Sequence, residues 1–120
     1  MKDDLKDNEE LYNLDHILTL GNGDVQFVQK MISLFIEHTP ASIKQIRNAY
    51  KNKDFNTLSR IAHKIKPSIN SLKINNISEV LLNLSKIEKS DFSDEEVLSM
   101  IDNIELTVRE VVKELKKEQF

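Results

Sequence analysis

The chain contains no cysteine, and its 120 residues include two glycines and two prolines. Without thiols there is no disulfide framework and no thiolate metal site, a composition that agrees with a reducing compartment. Gly21, Gly23, Pro40 and Pro67 are too few to make the turns of many short strands, which argues against an all-β fold. No run of about 18 apolar residues is present to span a bilayer. Met1 to Asn8 also lacks the apolar stretch of a secretory signal. The cytoplasm is the expected location, with no membrane insertion. A formal net charge of -3 leaves no general excess of cations to neutralise phosphates, so nucleic acid is not an expected partner.

What is present suits one globular domain: 39% apolar and 31% charged residues, in a chain long enough for a single core. Acids gather at Asp3 to Glu10 and at Asp91 to Glu96, while Arg60, Lys64, Lys66 and Lys73 make the middle locally basic. Residues 1–10 are expected to be a disordered N-terminus, and residues 11–117 a helical bundle. Met1 at the start favours a free-standing protein over a piece of a larger hybrid kinase, without deciding between them.

Apolar periodicity predicts six helices. Leu14, Ile17 and Leu18 form a short one that stops at Gly21-Asn22-Gly23. Asp24 caps a second, running to His38, with Val28, Met31, Ile32 and Phe35 on one side and Phe27 and Leu34 widening the stripe. Thr39-Pro40 is read as an N-cap with proline at the first helical position of a third helix, ending near Asn52. Asp54 caps a fourth, whose inner face is Phe55, Leu58, Ile61, Ala62, Ile65 and Ile69. A polar break over Asn70 to Asn76 precedes a fifth with Ile77, Leu81, Leu84 and Ile87. In the sixth, Val97, Ile101, Ile104, Val108, Val111 and Leu115 follow the steps of a bundle seam. Short connections favour antiparallel neighbours. The expected fold is therefore all-α, an up-and-down antiparallel four-helix bundle with one or two additional N-terminal helices.

At about 100° per residue, Leu58, Ile61, Ile65 and Ile69 project roughly 120° to 160° away from His63 on the fourth helix. Asn56, Ser59, Lys66, Pro67 and Asn70 fall within about 60° of it. His63 is thus predicted to face solvent, with Lys66 one turn away and Arg60 and Lys64 flanking. Such cations stabilise a phosphoryl group by charge and hydrogen bonds. A nucleophilic attack by the ring would use the lone pair of one imidazole nitrogen. Pro67, four residues on, cannot donate to the His63 carbonyl and is expected to kink or end the helix. A metal site is not expected, since His16, His38 and His63 lie on separate predicted helices with no paired spacing. His16 is read as a surface residue and His38 as a helix-end residue favoured by the dipole. Gly21 and Gly23 cannot build a nucleotide-binding loop, so autonomous kinase activity is not expected.

The stretch Ala62-His63-Lys64-Ile65-Lys66-Pro67-Ser68 resembles the signature of histidine-containing phosphotransfer (HPt) domains: a histidine, two residues, a lysine, a glycine and a small residue. Leu34-Phe35, Pro40, Ile43, Ile46, Ala49, Asp54, Leu58, Leu72 and Ile77 extend the similarity from Phe27 to about Ile87. The resemblance implies a phosphorelay protein that accepts a phosphoryl group on His63 from a receiver-domain aspartate and passes it to another receiver. Lys66 would be the charge-stabilising partner. Docking residues would be Asn56, Ser59, Arg60, Lys64, Pro67 and Asn70, completed by apolar residues of the second helix. Partners would be response-regulator receivers and a hybrid sensor kinase. A closed bundle predicts a monomer. The protein would need no cofactor of its own, the receiver supplying Mg²⁺. Pro67 departs from the pattern by replacing the glycine that leaves room for the receiver, and Lys73 replaces a frequent second glycine. The alternative is a helical interaction module that binds a receiver or another helix without accepting phosphate.

Overall fold

The computed structural model describes residues 11–118, and the expected disorder of residues 1–10 lies outside them. Five α-helices make up the described chain: α1 (Asp15–Leu20), α2 (Val25–Lys51), α3 (Phe55–Ser71), α4 (Ser78–Ser85) and α5 (Asp94–Leu115). Single 3₁₀ turns at Asn75–Ile77 and Ile87–Lys89 flank α4. There is no strand among the described residues, and no helix there is long and apolar enough to cross a membrane.

The helices start where side chains can satisfy orphan backbone donors. Asp24 accepts from the Gln26 N–H at 2.9 Å and Asp54 from the Thr57 N–H at 3.2 Å. Ser93 and Glu96 form a reciprocal capping box at the start of α5. The turn between α1 and α2 uses Gly23 at φ +82°, a conformation that glycine adopts without steric cost. Lys53 and Lys73 take left-handed conformations, φ 58° and 57°, in the turns on either side of α3. Lys73 therefore keeps the backbone geometry that a glycine would occupy more cheaply.

Packing order follows from the short turns. Helix α3 lies between α2 and α4, α5 packs against α2 and α4, and α1 lies on α2. The core is aliphatic, with Ile46, Leu58, Ile69, Leu81, Leu84, Ile101 and Ile104 at most 1% exposed. This is the expected up-and-down bundle with one additional N-terminal helix.

Three local expectations are corrected. First, Thr39-Pro40 does not start a helix, because α2 runs unbroken from Val25 to Lys51 with Pro40 inside it. Pro40 removes one bond, to the Ile36 carbonyl, at a cost of about 3 kcal/mol. Phe35, Thr39, Ile43 and Ile46 are buried on both sides of it. Burial of Phe35, Ile43 and Ile46 contributes about 1.5–3 kcal/mol each, so packing outweighs the break. His38 consequently lies mid-helix. Second, α3 does not end at Pro67 but runs to Ser71, through the buried Ile69 that the apolar spacing already placed on its inner face. The supposed polar break also contains two core residues, Leu72 and Ile74. Third, Phe55 and Leu34 are exposed rather than inward, each at 37%. Phe55 instead packs against Tyr50, ring centroids 5.9 Å apart.

Candidate functional site

Helix α3 displays the site because its opposite face is committed to the core. Leu58, Ala62, Ile65 and Ile69 are buried, and His63, between two of them in sequence, is exposed. Ile61 is only half-buried. Pro67 lies one turn beyond His63 and is also exposed, and its ring nitrogen has no hydrogen to give the His63 carbonyl.

The surrounding cations differ in how they are held. Lys64 is exposed, whereas Lys66 is half-buried. Arg60 leans back toward the start of α3, its Nε 3.3 Å from Asn56 Oδ1 and its second guanidinium nitrogen 3.4 Å from Thr57 Oγ1. Among the described residues, no carboxylate forms an ion pair with Arg60, Lys64, Lys66 or Lys73. A positive surface whose cations form no ion pair among the described residues is suited to an anionic group.

Two of the polar residues predicted on this face are used by the fold. The Ser59 hydroxyl donates to the Ser85 carbonyl, which satisfies an end of α4 that would otherwise lack a partner. Asn70 Oδ1 accepts from the Ser78 hydroxyl at 2.9 Å, tying the end of α3 to the start of α4. Asn56 retains its amide nitrogen for an outside contact, since only its oxygen is engaged by Arg60.

Beside Pro67 a 300 Å³ groove opens between α2 and α3. Met31, Leu34, Phe35 and His38 line one wall, and Pro67, Ser68 and Ser71 the other. Sequence patterning placed Leu34 in the core stripe, so it did not foresee that this leucine would be free to face a visitor. Ser68, Ser71 and His38 were missed as well: the two serines lie farther round α3 than the face projected about His63, and His38 was placed at a helix end. No cluster of His, Cys, Asp and Glu suited to a metal ion occurs among the described residues.

This arrangement supplies an accessible imidazole, a lysine one turn away and, past Pro67, an apolar seat between α2 and α3. It can present a nitrogen lone pair to an electrophile carried by another macromolecule. A family model described as Hpt domain matches residues 30–117, a span that holds all of these groups. Comparison with curated proteins and with solved structures finds no match.

Proposed function

The chain belongs to the Hpt domain family, and from that premise we propose that His63 is its phosphoacceptor within a multistep phosphorelay. Members of the family are phosphocarriers that work with receiver domains, so the open questions are which atoms act and how. The supporting observation is that His63, the histidine of the family-like stretch, is exposed on α3 beside Lys66 and the Leu34–Pro67 groove.

In this reading the Nε2 lone pair of His63 attacks the phosphorus of a receiver's aspartyl phosphate. The P–N bond forms as the P–O bond to the aspartate breaks, and the carboxylate departs with the bonding electrons. The reverse displacement loads the next receiver. In-line phosphoryl transfer leaves a protein little to do beyond positioning and charge stabilisation. The α3 backbone positions the ring, and the Lys66 ammonium offsets negative charge on the equatorial oxygens. Mg²⁺ belongs to the receiver, and this chain brings no cofactor of its own. Leu34 and Met31 seat apolar residues of the receiver, while Lys64, Arg60 and Asn56 meet its acidic rim. A hybrid sensor kinase upstream, a monomeric state and a cytoplasmic location complete the proposal.

The test is to mix the protein with phosphorylated receivers and follow the label. Acid-labile, base-stable phosphate on the wild type and none on His63→Gln is the expected result. Equal labelling of the variant would remove His63 from the reaction. No label with any native receiver would favour the alternative, a helical module that binds without accepting phosphate.

A further inference from the structure

A second groove, of 400 Å³, runs between α2 and α5. Its apolar floor includes Ile36, Pro40 and Val112, all half-buried rather than sealed. Lys44, Arg109 and Lys116 stand along its edges with a single carboxylate, Glu105. That carboxylate is already engaged: Arg47 approaches it at 2.5 Å, and Arg109 reaches it only at 3.7 Å. Arg109 remains 66% exposed, and among the described residues Lys44 and Lys116 have no ion-pair partner. The groove thus combines an apolar base with an excess of outward cations, three against the single Glu105 carboxylate that Arg47 and Arg109 share.

We propose that this groove docks an acidic amphipathic helix of a partner protein. The lining residues run about 12 Å along α2, from Ile36 to Lys44, and about 16 Å along α5, from Glu105 to Lys116. Two to three helical turns match that length. An apolar stripe at i, i+3, i+4 and i+7 would lie on Ile36, Pro40 and Val112, and flanking carboxylates would meet Lys44, Arg109 and Lys116. Pro40 contributes twice, by its compact ring and by leaving the Ile36 carbonyl without its helical donor. No residue of α3 lines the groove. The proposal therefore goes beyond phosphotransfer and does not depend on it: a helix held here leaves His63 open, so the protein can stay tethered to one partner while another visits.

The experiment uses the full chain, isotopically labelled, titrated with a designed 14-residue peptide bearing leucines at the stripe positions and glutamates elsewhere. Amide shifts should concentrate at Lys44, Val108, Arg109, Val112 and Lys116. A Lys44→Glu, Arg109→Glu, Lys116→Glu variant that keeps its helical circular dichroism should bind about ten-fold more weakly or worse. Absence of shifts, or shifts centred on Leu34 and Pro67, would overturn the proposal. So would equal binding by a peptide with lysine in place of every glutamate. Because no phosphate is involved, these outcomes are independent of whether His63 is ever labelled.

Discussion

Replacing Pro67 offers a direct measure of what the turn after His63 costs. It is the thirteenth of the 17 residues of α3, inside the helix rather than at either end. Its side chain is exposed, so truncation leaves no cavity in the core. In an exposed helix interior, proline is about 3 kcal/mol and glycine about 1 kcal/mol less favourable than alanine. Pro67→Ala should thus stabilise the fold by up to about 3 kcal/mol and Pro67→Gly by up to about 2 kcal/mol. For a domain of this size each kcal/mol is worth about 4 °C in melting temperature, giving upper limits of about 12 °C and 8 °C. Urea and thermal unfolding followed by helical circular dichroism would rank the three proteins. The order Ala, Gly, wild type is expected. A wild type that melts at or above the alanine variant would refute the idea that the missing bond to the His63 carbonyl is an uncompensated cost.

Lys66→Ala should leave the helical spectrum intact and slow phosphoryl transfer about ten-fold, near the lower end of a charge-assisted hydrogen bond; quenched-flow labelling at the wild-type rate would remove its role. Ser93→Ala deletes half of the capping box of α5 and should cost about 1 kcal/mol, read as a lower urea midpoint with an unchanged slope. The Tyr50 phenol, which donates a hydrogen bond to Asp94, is pushed up to about 12 from an ordinary 10.0. Between those values the unfolded chain has lost a proton that the folded chain retains, so stability should fall as pH rises through this window and be insensitive to the group below it. Tyr50→Phe should flatten that slope; equal slopes for both proteins would discount the contact.

Where periodicity was carried by the core, the fold was legible. The seam of α5 and the caps Asp24 and Asp54 are where apolar spacing and side-chain chemistry put them. Both errors at proline have one cause: a local rule was applied without the burial that opposes it. Thr39 reads as a cap because its hydroxyl can serve as one, yet at 3% exposure it is a core residue of a helix that never pauses. The exposure of His63 was visible in projection, since only the angle between it and Leu58 or Ile65 was needed. The engagement of Ser59 and Asn70 by α4 was not, because those bonds depend on how two helices are placed in space.

The interior described above contains nothing that can gain or lose a proton: Thr39 is the sole polar side chain among the described buried residues. None of the buried polar side-chain atoms there lacks a partner. A dianion attached at the surface would consequently find no sealed charge to repel and no internal network to rewire. Loaded and empty forms should share one shape, and a receiver would have to tell them apart by touching the cargo itself.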